Sequence, residues 1–208
     1  GVQTCALPIS VEQQGIHVRM DPATRRNLEL TETLRGEASP TLLSLMDTCA
    51  TAMGSRLLRH ALHHPLTDRA LLAERHGAIA AFHVADVHLK ARELLKQCVD
   101  VERITARLAL KSARPRDLSG LRDTLALLPL VSATLAGATV TVGTRLIAIA
   151  NALRPQTSVA TLLKSAIREE PSVVLREGGV IADGYDSELD ELRAIDRKST
   201  RLNSSHRT

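Results

Sequence analysis

His60, His63 and His64 form the first pattern with chemical content, because spacings of i, i+3 and i+4 set three imidazoles on one helical face, as a transition-metal site requires. Arg56 and Arg59 add positive charge beside them, Pro65 follows at once, and no glutamate stands where an HExxH site needs one. A solvated or interfacial histidine cluster is the stronger reading, and no metal ligand is assigned. Gly179-Val180-Ile181-Ala182-Asp183-Gly184 has the two glycines of a GxxxxGK[ST] phosphate loop, but Tyr185 and Asp186 stand where Lys and Ser or Thr are needed. A carboxylate there repels phosphate, so the glycines are expected to serve backbone turns with positive φ. No GxSxG elbow orders a nucleophile with a base. Asp100 and Glu102, with Arg103 and Arg107 nearby, read as helix-surface or interhelix ion pairs, and Cys98 reads as packing. No catalytic, cofactor-binding or metal residue is therefore assigned.

Composition narrows the classes further. The 208 residues are 44% hydrophobic and 24% charged, as a folded globular chain requires, and no apolar run approaches the roughly 18 residues of a membrane crossing. Phe82 and Tyr185 are the only aromatics besides histidine, so no multi-ring platform exists for stacking single-stranded bases. The net charge of +4 is concentrated at one end. Arg197, Lys198, Arg201 and Arg207 against Asp196 leave residues 1–195 within one charge of neutrality. Residues 1–15 and 196–208 lack apolar periodicity and read as segments appended to a domain spanning 16–195, similar in character to translated adaptor sequence. Cys5, Cys49 and Cys98 form no CxxC pair or disulfide framework, which fits a reducing, cytoplasmic setting.

The elements that must position these residues are mostly α. Asp21 before Pro22 predicts a capped helix through Asn27, and Ser39-Pro40 predicts a second start, with an apolar stripe continuing past Gly54 until Pro65. Thr67 or Asp68 can cap a helix burying Leu71, Leu72, Ile79 and Phe82. Leu94, Cys98, Val101, Thr105 and Leu108 predict one long helix from about Val87 to Lys111 with a narrow seam. Leu118, Leu121, Leu125 and Leu128 predict another, ending near Pro129. A loop over 137–143, two helices around Pro155, and an acidic helix from Ser187 complete the body. Short strands are expected at Ile16 to Met20 and on either side of Gly178-Gly179. The expected architecture is long packed helices with a few short strands.

Ordered blocks then carry a resemblance. Met20-Asp21-Pro22-Ala23-Thr24-Arg25-Arg26-Asn27-Leu28-Glu29-Leu30 is followed by Thr41-Leu42-Leu43 with Asp47, Met53-Gly54-Ser55-Arg56-Leu57-Leu58 and His64-Pro65-Leu66. Next come Asp100-Val101-Glu102-Arg103-Ile104, Ala109-Leu110 and Ala113-Arg114-Pro115-Arg116-Asp117-Leu118, then Arg176 to Asp186 and Glu188 to Arg193. Together these blocks resemble the core and lever region of the MutS family of DNA mismatch-repair proteins, up to the start of the clamp. The resemblance implies a fragment with no catalytic activity of its own, taken from a homodimeric protein that binds mismatched double-stranded DNA, MutL, ATP and Mg²⁺. The family's Phe-x-Glu wedge is absent, since His83 and Val84 follow Phe82.

The breaks at Arg114, Pro115 and Asp117, and at Gly178, Gly179 and Gly184, are the candidate mechanical junctions between helices. The alternative is a free-standing helical module that docks another protein.

Overall fold

The computed structural model describes residues 15–84, 86–137, 144–153 and 157–205. It is mostly helical: among those residues there are ten α-helices and one 3₁₀ turn, and the only β pairing is two isolated bridges. Of the loop expected over 137–143, Gly137 ends a helix instead, and 138–143 lie outside the described residues, as do the break at Pro155 and residues 1–14 and 206–208. No helix among the described residues is long and apolar enough to cross a membrane.

Helix α1 (Pro22–Asn27) begins as expected. The Asp21 side chain accepts from the Thr24 amide at 2.6 Å, and Pro22 occupies the first turn, where its missing N–H costs nothing. The second start lies one residue beyond Pro40: Thr41, not Ser39, caps α2 (Leu42–Met46), through a reciprocal box in which Thr41 and Ser44 each bond the other's amide. Thr51 then caps a separate helix, α3 (Ala52–His63), so the stripe across Gly54 belongs to two helices instead of one. Asp68 accepts from the Ala70 and Leu71 amides and opens α4 (Arg69–Val84).

The buried face of α4 differs from the expected one. Ala78 and Ala81 are buried, whereas Ile79 is 55% exposed and Leu71 lies at the surface. Small residues here let neighbouring helices approach, which a pattern weighted by hydrophobic bulk does not register.

The long helix expected over 87–111 is two: α5 (Val87–Leu95) and α6 (Val101–Ala109). Asp100 ends the continuity by accepting from the Arg103 amide at 3.2 Å, and the Val99 amide donates to Thr124 Oγ1 at 3.0 Å. The local cap outcompetes the apolar period. Ile104 is buried at 3% exposure, while Thr105 and Leu108 of the expected seam are exposed.

Helix α7 (Pro115–Gly137) corrects the expectation in the other direction, running through Pro129. Proline removes the N–H that would reach the Leu125 carbonyl. Buried Leu121 and Thr124 on one side and Val131 and Leu135 on the other hold the axis straight enough to continue. Ser132 adds a bond to the Ala150 carbonyl at 2.9 Å.

Around α7 pack α5, α6, α8 (Thr144–Ala152) and α9 (Thr157–Ala166). One apolar cluster joins Ile104, Leu121, Leu163, Ile167 and Val180. A second joins Ala78, Ala81 and Val87 to Leu146, and a third joins Val131 and Leu135 to Ala150, with Phe82 packing against both.

The expected strands shrink to bridges. His17 pairs with Leu66, and Ile181 pairs with Ile167, not with 173–175, where Leu175–Glu177 is a 3₁₀ turn. The acidic helix, α10, runs Ser187–Ser205 and so crosses the 195/196 boundary expected between domain and tail.

Candidate functional site

The two sequence-derived junctions are both built, each around a carboxylate. At the first, Pro115 starts α7 and is buried, and Asp117 reaches back to accept from the Arg114 amide at 2.9 Å, satisfying a donor the helix cannot. The same carboxylate accepts from one edge of the Arg107 guanidinium, from Nε at 2.8 Å and Nη2 at 2.7 Å. This bidentate pairing clasps the end of α6 to the start of α7. Hydrogen bonding from Arg107 holds the Asp117 carboxyl below its ordinary value and holds the Arg107 guanidinium more firmly protonated. The Arg114 side chain is exposed, and its contribution here is its backbone.

At the second junction Gly178, Gly179 and Gly184 have φ of 70°, 69° and 82°, the left-handed values expected of them. Between them the chain pairs with the end of α9: the Arg168 amide donates to the Val180 carbonyl at 3.0 Å and the Ala182 amide to the Ala166 carbonyl at 2.8 Å. Asp183 receives Arg168 Nη2 at 2.5 Å and Arg193 Nη1 at 3.0 Å. Arg193 also donates to the Ile181 carbonyl, and Asp190 accepts from the Gly184 amide at 2.6 Å. The first turns of α10 are thereby fixed to the Ile167–Ile181 bridge.

The residues that connect these junctions escaped sequence reasoning. Arg122, one and a half turns beyond Asp117 on α7, donates to the carbonyls of Ile167, Arg168 and Glu169 at 3.2, 2.6 and 3.1 Å. Arg56 of α3 grips Asp100 through two nitrogens at 2.8 and 2.7 Å and also bonds Glu102. Asp100 and Glu102 were expected among ion pairs with Arg103 and Arg107. Arg103 does lie 3.5 Å from Asp100, but Arg107 is committed to Asp117. Apart from the Arg122 contact with its neighbour Asp123, the partners of Arg56 and Arg122 lie more than forty residues away, so no local spacing signals them. The result is a succession of arginine clasps: α3 to α6, α6 to α7, α7 to the bridge, and the bridge to α10.

Hydrogen bonding from Arg56 lowers the Asp100 carboxyl from an ordinary 3.8 to about 2. Because the folded value is the depressed one, the stabilisation is complete above the unfolded value and is lost as pH falls through about 2. Denaturant unfolding measured from pH 5 to pH 2 is expected to show this loss, and Asp100→Asn to flatten the curve across that window. An unchanged slope in Asp100→Asn would disprove the assignment.

The His60 and His64 rings stack with centroids 4.3 Å apart, His63 Nε2 lies 3.1 Å from Thr31 Oγ1, and no metal-binding group of three or more His, Cys, Asp or Glu side chains exists among the described residues. Cys98 is half-buried, and burial pushes its thiol up, away from reactivity.

The family model described as MutS domain III matches residues 23–205. The chain belongs to the MutS domain III family. Both junctions and every arginine clasp lie inside the matched span, so the clasps are features of this MutS domain and not of segments outside it. In the Gly179–Asp186 turn of the domain, Asp183 is engaged by two arginines and Asp186 accepts from the Leu189 amide.

Proposed function

We propose that this domain is the core and lever region of a DNA mismatch-repair protein, coupling an ATPase domain to a DNA-embracing clamp and performing no catalysis itself. The observation that carries the reading is the position of Asp117 and Arg122 on a single helix. Asp117 fixes α7 to α6 and Arg122 fixes it to the segment that holds α10. A rotation of α7 is therefore passed to α10 as a rigid-body displacement instead of being absorbed by loops. In this reading ATP and Mg²⁺ bind elsewhere in the complete protein. Mismatched duplex DNA, MutL and a second MutS subunit are its partners, and the setting is cytoplasmic.

The test uses a complete mismatch-repair protein carrying this domain, with Arg114→Ala, Asp117→Ala, Gly178→Ala and Gly184→Ala made singly. Retention on end-blocked mismatched DNA is expected to fall most in Asp117→Ala, because that change removes both a bidentate ion pair and a cap. The glycine variants are expected to follow, because alanine at φ of 70° or 82° strains the turn. Nucleotide affinity should hold in all four. Unchanged retention throughout would defeat the proposal.

A further inference from the structure

Outside the junctions, three buried side-chain polar atoms among the described residues lack a hydrogen-bond partner: His17 Nδ1, Arg25 Nε and His63 Nδ1. Native structures rarely leave such atoms unpaired without a reason. Arg25 and His63 both line one cavity of about 390 Å³, together with Arg26, Thr31, Thr33 and Glu32. Neither Arg25 nor Arg26 makes an ion pair among the described residues, although every arginine of the clasps does.

The wall opposite α1 is pinned by local bonds that leave it little freedom. Glu29 accepts from the Leu34 amide at 2.7 Å, Thr33 Oγ1 from the Glu37 amide at 3.0 Å, and the Thr33 carbonyl from the Gly36 amide at 2.9 Å. Glu29 is thus occupied with backbone, and Glu32 is the one carboxylate in a lining that also holds Arg25 and Arg26. Behind His63, the charges of Arg25 and Arg59 add to burial in disfavouring a proton on its imidazole. The site is a polar cavity whose lining carries two arginines and a histidine against one glutamate.

We infer that this cavity binds a phosphoryl oxyanion. A carboxylate is satisfied by one guanidinium edge, whereas a tetrahedral phosphate has acceptor oxygens enough for both arginines and for the Thr31 hydroxyl or the His63 imidazole. The cavity also exceeds a bare phosphate in size, leaving room for an ester substituent. A free phosphoester and a backbone phosphate of duplex DNA present the same chemistry.

The 208-residue chain is titrated with inorganic phosphate, with acetate, and with a short duplex DNA, while the Arg25 Nε–H resonance is followed by NMR. Phosphate is expected to shift that resonance saturably, with affinity on the order of millimolar, and acetate to do so at least about tenfold more weakly. Arg25→Gln should abolish the response at the remaining cavity resonances. Arg26→Gln, at an exposed position that does not threaten folding, should weaken it about tenfold, and Arg35→Gln, outside the cavity, should leave it intact. Competition by duplex DNA, with a salt slope reduced by about one in Arg26→Gln, assigns the phosphate to the DNA backbone. Phosphate binding without such competition assigns it to a free phosphoester. No shift with phosphate, an equal response to acetate, or full binding by Arg26→Gln overturns the inference.

Discussion

Leu146→Ala is expected to lower the unfolding free energy of the chain by about 2–5 kcal/mol, the range for truncating a leucine in a core that relaxes only partly. Leu146 has no exposed surface, and it joins Ala78, Ala81 and Val87 from two other helices. Apart from Phe82 at the cluster's edge, those neighbours are two alanines and a valine, with few atoms to refill the space. Denaturant unfolding followed by far-ultraviolet circular dichroism measures the loss. The midpoint should fall with the slope unchanged, since the folded state keeps its compactness. A loss under about 1 kcal/mol would show that α4, α5 and α8 close around the deletion, contrary to the packing described.

Gly120→Leu is expected to cost about 1–3 kcal/mol by overpacking. A Cβ at position 120 would stand 2.8 Å from Val99 Cγ1, and Val99 is anchored by its own amide bond to Thr124. The β-branched side chain has few alternative χ1 rotamers, so moving its methyl away carries a cost. Val99→Ala in the same chain opens the space, so the double variant Gly120→Leu, Val99→Ala should lose less stability than the sum of the Gly120→Leu and Val99→Ala losses. Equal or greater loss would place the strain elsewhere. The glycine thus sets how closely α7 approaches the turn between α5 and α6.

What sequence could and could not reveal follows from the range of the forces involved. Asp21 with Pro22, and Asp68 before α4, were legible because a cap is a contact between residues two or three apart. The glycines at 178, 179 and 184 were legible because their φ values are a property of the residue itself. The break between α5 and α6 carried its own signal in Asp100, an N-cap residue, yet the apolar spacing from Leu94 to Leu108 spoke louder. Pro129 misled in the opposite sense, since packing on both of its sides outweighs one missing bond. The family resemblance, resting on ordered blocks, agrees with the MutS domain III match over residues 23–205.

The helix start at Pro115 and the turns at Gly178, Gly179 and Gly184 lie where their residue types suggest, but the contacts around them were not legible. Arg56, Arg122 and Arg168 act on carboxylates or carbonyls brought near only by the fold. Arg107 was expected beside Asp100 and Glu102, and it pairs with Asp117 across the turn at 110–114 instead.

The central claim is that α7 transmits motion, and it is tested most directly by separating transmission from stability. In a complete mismatch-repair protein carrying this domain, Asp117→Ala and Leu146→Ala are compared for lifetime on end-blocked mismatched DNA, under conditions where both remain folded. Asp117→Ala cuts the tie between α6 and α7, while Leu146→Ala weakens a cluster that contains no clasp residue. The account predicts a shortened lifetime in Asp117→Ala and a near-normal one in Leu146→Ala, with nucleotide affinity preserved in both. Equal shortening in the two, or none in Asp117→Ala, would contradict it.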